Sequence, residues 1–221
     1  MRLSISHKTY SSWSLRPWLL MKQLGIAFEE HMVLFGDEPA WQAYRQQVPS
    51  GKVPALHTPE GLVWDSMGIT EYLAERFEGV WPDAPAARAW ARCAAAEMHS
   101  GFGTLRTQCS MNTLRTFEMK AIDAALQKDL DRLQALWGEG LQRFGGPFLA
   151  GDRFTAVDAF FAPVAFRLKA YQLPVQPEVQ AYAERLLALP AVQEWVQAAR
   201  SEPTDPPHEE ACTGWANPVS P

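Results

Sequence analysis

The stretch from Arg2 to Gly25, RLSISHKTYSSWSLRPWLLMKQLG, decides the fold. Leu3 and Ile5 alternate with Arg2 and Ser4, which is the period of a half-buried strand. From Leu15 to Leu24 the period lengthens. Trp18, Leu19, Leu20 and Leu24 gather on one helical face, and Gly25 stands where a left-handed C-cap belongs. Between the two lies the polar run His7 to Ser14. A strand passing through such a run straight into a helix opens an α/β unit.

Working outward, the next residues keep alternating between the two periods. Phe28–Phe35 has strand character, and Asp37–Gln47 reads as a short helix with Asp37 as N-cap and Pro39 near its start. Val53–His57 and Leu62–Trp64 read as short strands around the turn residues Pro59, Glu60 and Gly61. Ser66–Phe77 is helical and stops at Gly79. The predicted order over residues 1–81 is βαβαββα. Pro82-Asp83-Ala84-Pro85 then breaks all periodicity and is expected to be a linker. Residues 86–200 read as all-helical: one helix over 86–110, a second under the stripe Leu126, Leu130, Leu133, Leu136 and Trp137, and others over 155–171, 178–188 and 191–200. Gly145-Gly146-Pro147 ends the second. Residues 201–221 carry Pro203, Pro206, Pro207, Pro218 and Pro221 and are expected to form an irregular tail. The fold class is therefore a small α/β domain followed by an all-α domain.

The 221 residues are 47% hydrophobic and 20% charged, enough to build a sizeable core and unlike a disordered chain. Twenty basic and 25 acidic side chains give a net charge of −5 with no basic run, so neither nucleic acid nor an anionic membrane is an expected partner. Cys93, Cys109 and Cys212 are odd in number and widely spaced. They imply no disulfide framework and no metal pair, and they suit a reducing cytoplasm. Cys93 and Cys109 are expected to be buried in a helix, and Cys212 to be exposed. No run of about twenty apolar residues is present to span a bilayer. His7, His31, His57 and His99 share no metal-ligand spacing, so strand or surface roles are expected of them.

Chemistry is expected at the junction of the first strand and helix. Free N–H groups and the positive end of the helix dipole favour an anion there, and Ser11, Ser12 and Ser14 supply hydroxyl donors. The commonest use of such a serine is as an N-cap, but three serines for one cap leave hydroxyls to spare. No GxSxG elbow accompanies them, which argues against a serine hydrolase. Val53-Pro54 opens a strand with a proline, where a cis bond is allowed. Asp65-Ser66 precedes a helix as a capping pair or as a site for a ligand carboxylate. Thr155 and Asp158 make a capping-box pattern, a structural feature whose Thr155 cap is worth about 1 kcal/mol.

Taken in this order, these pieces resemble the cytosolic glutathione transferase family from residue 1 to about 200. Ser11-Ser12-Trp13-Ser14-Leu15-Arg16 is similar to the serine motif of its zeta-like and tau-like classes, Lys52-Val53-Pro54 to its cis-proline motif, and Asp65-Ser66 to its Glu/Gln-Ser motif. Gly151–Asp158 resembles its folding box. The resemblance implies a thioredoxin-like first domain, a homodimer, and glutathione as co-substrate with no metal. Ser11 would face the glutathione sulfur, with Ser12 auxiliary. Val53, beside a cis Pro54, would pair its main chain with the cysteinyl part. Asp65 and Ser66 would hold the γ-glutamyl end, and Lys52 would meet the ligand near the same groove. Trp13, Met98, Phe102 and Arg106 would line the pocket of a small electrophile, Arg106 favouring an anionic one.

Three positions depart from the family pattern: Trp13 stands where the zeta class has cysteine, Asp65 where Glu or Gln is usual, and Val157 where the box has alanine. Trp13 counts against maleylacetoacetate isomerase activity. The implied function is transfer of the glutathione thiol to a small electrophile. The alternatives are a glutathione-dependent isomerase or dehalogenase, or a non-catalytic interaction protein on this fold. The energetics fit a serine. A thiol near pKa ~8.5 needs about 2.7 kcal/mol of preferential stabilisation to ionise two units lower. One hydrogen bond to a charged group supplies about 1.5–3 kcal/mol, and a helix N-terminus roughly 0.3–1.

Overall fold

A computed structural model describes residues 1–219. The first unit runs β1 (Arg2–Ile5), α1 (Ser12–Gln23), β2 (Glu29–Met32), α2 (Glu38–Gln47), β3 (Ala55–Thr58), β4 (Gly61–Trp64) and α3 (Ser66–Ala74). Its four strands lie in the order β2-β1-β3-β4. β1 pairs parallel with β2, placing Leu3 beside Glu30, and antiparallel with β3, placing Leu3 beside Leu56. β4 closes the edge antiparallel to β3. The parallel pair needs the α1 crossover, and this is why the polar run 7–14 ends up at the strand's C-terminal edge. Asp37 caps α2 by accepting the Ala40 N–H at 3.1 Å.

The second unit holds α4 (Pro85–Ser100), α5 (Gly103–Gln108), β5 (Phe117–Met119), α6 (Ala124–Phe144), α7 (Ala156–Ala170), α8 (Pro177–Leu187), α9 (Pro190–Ala199), α10 (Pro206–Thr213) and β6 (Ala216–Pro218). Every residue of α7 except Lys169 is buried, and the helix packs against α1, α4 and α8. A helix that is apolar all round belongs at the centre. The alanines Ala91, Ala94 and Ala95 of α4 leave room for its approach. α1 is buried on nearly every side as well, between its sheet and the helical unit, and Trp18 meets Trp195 edge-on at 4.9 Å. One core therefore runs through both units. Among the described residues, no helix is long and apolar enough to cross a membrane.

Three expectations need correction. The helix expected over 86–110 is two helices. α4 ends at Gly101, where a Cβ would lie 2.7 Å from the Glu97 carbonyl oxygen, and Phe102 adopts a left-handed conformation at φ 54° before α5 begins. Residues 86–200 are not wholly helical either, because β5 lies among them.

The expected irregular tail over 201–221 also contains order. Pro206 and Pro207 occupy the first turn of α10, where a missing N–H costs nothing, and Asp205 caps it by accepting the His208 N–H at 3.3 Å. β6 then pairs antiparallel with β5, Met119 opposite Ala216. Prolines at helix starts read as breakers only when the cap beside them is overlooked. Positions 220 and 221 of the expected tail lie outside the described residues.

Candidate functional site

A groove of about 430 Å³ opens where the first unit presents three loops. Ser11 and Trp13 come from the β1–α1 junction, Lys52, Val53 and Pro54 from the entry to β3, and Asp65 from the β4–α3 junction. Phe35, Trp41 and Trp64 supply aromatic walls. A larger cavity of about 590 Å³ lies at the linker, lined by Trp81, Pro82, Asp83 and Phe154, and it gathers none of those three loops. The groove is the candidate site.

Ser11 sits at the N-cap position of α1, yet its side chain makes no capping bond. Its backbone is set by a turn: the Ser11 N–H donates to the His7 carbonyl at 2.8 Å, and the Ser11 carbonyl accepts the Leu15 N–H at 3.2 Å. Its hydroxyl lies 2.7 Å from the Ser14 hydroxyl. The dipole end of α1 and a hydroxyl not used for capping thus meet at the groove wall. Ser12 is buried beside it and does not line the groove. The Val53–Pro54 peptide bond is cis. The Lys52 carbonyl accepts from the Tyr44 hydroxyl at 2.8 Å, which ties this loop to α2.

Asp65 is held at φ 68° and ψ 142°, close to a region that non-glycine residues rarely occupy. Its carboxylate caps α3 through the Met67 N–H at 2.8 Å and lies 3.6 Å from His99 Nε2. Ser66 is fully buried behind the groove rather than in its wall, and its hydroxyl takes the Arg16 guanidinium at 3.4 Å.

Positive charge collects on one side. The Arg16 and Arg106 guanidiniums lie 4.2 Å and 4.6 Å from the Trp13 ring centre, and His99 meets that ring edge-on at 5.1 Å. Burial lowers Arg16 to about 9, helped by the like charges of Arg106 and Arg167 and opposed by Asp65; it remains a cation at neutral pH. Burial also lowers Arg106, and lowers His99 against the pull of Asp65. Among the described residues no carboxylate lies within ion-pair distance of Arg16 or Arg106. Asp65 is the acid whose charge acts on both Arg16 and His99.

Two profiles for glutathione S-transferase match the chain, the N-terminal domain over residues 10–76 and the C-terminal domain over residues 116–198, together more than half of its length. The chain belongs to the glutathione S-transferase family. A glutathione S-transferase-like protein of Beauveria bassiana is 24% identical, covering 85% of this chain and 86% of its own. A Burkholderia glutathione transferase homolog, crystallised with bound glutathione, is 26% identical with a TM-score of 0.67 over 91% of this chain and 98% of its own. Maleylacetoacetate isomerase from Methylobacterium extorquens AM1, crystallised with malonate and glutathione, is 22% identical with a TM-score of 0.66, covering 92% and 98%. This last likeness is one of fold.

Measured against the transferase expectations, the groove gathers Ser11, Trp13, Lys52, Val53, Pro54 and Asp65. Arg106 reaches it through Trp13. Met98 and Phe102 do not line it. Both are buried in the helical core, where Phe102 packs edge-on against Phe161 at 6.4 Å. The cysteine expectations also change, since Cys93 is exposed and Cys212 is fully buried. Burial pushes the Cys109 thiol up to about 12 and also raises Cys212, so neither buried sulfur is a ready nucleophile. His7 is buried rather than on a strand or the surface, and accepts the Phe35 N–H at 3.0 Å. No cluster of His, Cys, Asp and Glu able to hold a metal occurs among the described residues.

Sequence reasoning missed Phe35, Trp41, Trp64 and Arg16. Phe35 and Trp64 stand only as the ends of expected strands and Trp41 inside an expected helix, yet Trp64 is 51% exposed beside Asp65. Its place at the end of an edge strand, next to a capping acid, was the available signal.

Proposed function

We propose that the groove binds glutathione and that Ser11 donates a hydrogen bond to its sulfur, holding it as a thiolate that adds to a small electrophile. The observation that carries this reading is the Ser11 hydroxyl, unspent on capping, on the groove wall at the start of α1. The remaining assignments follow the ligand's chemistry. The Val53 main chain pairs with the cysteinyl residue, Asp65 and the α3 N-terminus hold the γ-glutamyl end, and Lys52 meets a carboxylate of the ligand. The bound glutathione of the Burkholderia relative supports this reading. On binding, the thiol proton leaves to solvent. The sulfur then attacks the electrophilic carbon and a leaving group departs, or the attacked double bond takes up a proton. A homodimer in a reducing cytoplasm belongs to the same reading.

A second reading has the same thiolate isomerising an anionic substrate and being released unchanged. Arg16 and Arg106 around Trp13 favour it, and the Methylobacterium isomerase, whose structure holds malonate and glutathione, supports it. Consumption of glutathione separates the two: stoichiometric loss marks transfer, and turnover without loss marks isomerisation.

The mechanism itself is tested by Ser11→Ala. The apparent pKa of bound glutathione should rise by about one to two units, with its Kd nearly unchanged. A weaker Kd with an unchanged pKa would make Ser11 a binding residue and nothing more.

A further inference from the structure

Ser14 stands one helical turn behind Ser11 and is fully buried. Its Oγ accepts the Ser6 N–H at 3.2 Å and lies 2.7 Å from the Ser11 Oγ. A hydroxyl carries one proton and two lone pairs, so the direction of the Ser11–Ser14 bond decides what Ser11 can offer the groove. If Ser11 donated inward, its proton would be spent. The Ser14 proton would then be sealed in the core, with no other acceptor in reach among the described residues. An orphaned buried donor is costly, and the opposite direction leaves none. Ser14 then donates to Ser11, and the Ser11 proton is left free to point at the ligand.

We propose that Ser14 is a positioning residue for the thiolate: the chain from Ser6 N–H to Ser14 Oγ–H to Ser11 Oγ–H ends on the glutathione sulfur. The inference rests on the reading of Ser11 as the residue facing that sulfur. Two features give the chain its effect. It holds the Ser11 rotor in one orientation before glutathione arrives, and each bond polarises the next, so Ser11 becomes a stronger donor than a lone serine. The spacing makes this available at no cost in helix geometry, because residues three apart share a face of α1.

The test follows the thiolate absorbance of bound glutathione in ultraviolet difference spectra against pH, for wild type, Ser11→Ala, Ser14→Ala and Ser14→Cys. Thermal unfolding and glutathione Kd are measured for each. Ser14→Ala should raise the apparent thiol pKa by roughly half to one unit, a three- to tenfold fall in the ionisation constant of the bound thiol, with Kd within about twofold. Ser14→Cys keeps the volume and a weak donor, and should fall between alanine and wild type. It also carries the test should the alanine variant not fold.

If Ser11→Ala shifts the pKa and neither Ser14 variant does, the relay is overturned while the Ser11 reading stands. If Ser11→Ala itself leaves the pKa in place, that reading fails and takes the relay with it. A fall in melting temperature with an unmoved pKa would make Ser14 a packing residue and overturn the proposal.

Discussion

At the scale of single residues, the groove depends on side chains whose neighbours do not neutralise them. The Trp13 ring lies within 4.2 Å and 4.6 Å of two guanidiniums. Arg106 is fastened only loosely, donating to the His99 carbonyl at 3.3 Å, so its charge is available to a co-substrate. Charge-assisted bonds to a carboxylate are about twice as strong as neutral ones. Replacing the guanidinium, as in Arg106→Gln, should therefore lower kcat/KM for a carboxylate-bearing electrophile by roughly tenfold to a hundredfold. A neutral electrophile of similar shape should change by no more than about threefold. Steady-state kinetics with a matched acid and ester pair decides it; equal losses for the two would remove Arg106 from substrate selection. Arg16 is unsuitable for this test, being sealed against Phe160 and Ser66.

At the scale of elements, the start of α7 carries more than its capping pattern suggested. The Asp158 carboxylate accepts from the Thr155 N–H at 2.9 Å and the Thr155 hydroxyl at 3.4 Å. It also takes the Leu149 N–H at 3.0 Å and the Tyr182 hydroxyl at 2.7 Å. A pattern three residues long foretold the first contacts and could not foretell the last two, which come from another loop and from α8. Burial raises Asp158 to about 6 against those hydrogen bonds. The folded state thus holds this proton more tightly than the unfolded chain. The group's contribution is full below about pH 4 and falls as pH rises through about 6, by up to about 3 kcal/mol. Asp158→Asn should flatten that part of the stability profile in urea unfolding from about pH 4 to 7. Asp158→Ala leaves several donors unpaired and should cost at least about 3 kcal/mol at any pH. A parallel pH profile for the asparagine variant would refute the assignment.

At the scale of the whole molecule, the C-terminal segment clasps the loop that carries Ser11. Glu202 accepts the Lys8 N–H at 2.7 Å, Trp195 donates to the Lys8 carbonyl at 2.6 Å, and Glu209 takes the Tyr10 hydroxyl at 2.6 Å. Glu209 also takes the Asn112 side chain at 3.1 Å and pairs with Arg115, so one carboxylate joins three parts of the chain. His208 stacks on Phe35, itself a wall of the groove, at 4.3 Å. Glu209→Ala should lower stability by about 1–3 kcal/mol, which for a chain of this size is a fall in Tm of roughly 2–10 °C. It should also speed amide exchange over residues 206–213 and at Tyr10 and Ser11. Unchanged exchange there would show that α10 holds without this carboxylate.

What the sequence determined by itself was whatever depends on near neighbours: the two periods of the first unit, the linker, most helices of the second, and the motifs at Ser11, Val53-Pro54, Asp65-Ser66 and Thr155–Asp158. Each is a pattern a few residues long, set by local backbone geometry and by which face is apolar. Tertiary structure alone decided the rest. It made Met98 and Phe102 core while turning Trp64 outward, buried Cys212 and exposed Cys93, and folded the proline-rich end back over the β1–α1 loop. It also set Arg16 and Arg106 around one tryptophan. Burial and charge at those positions depend on contacts between residues distant in the chain, which no local pattern records.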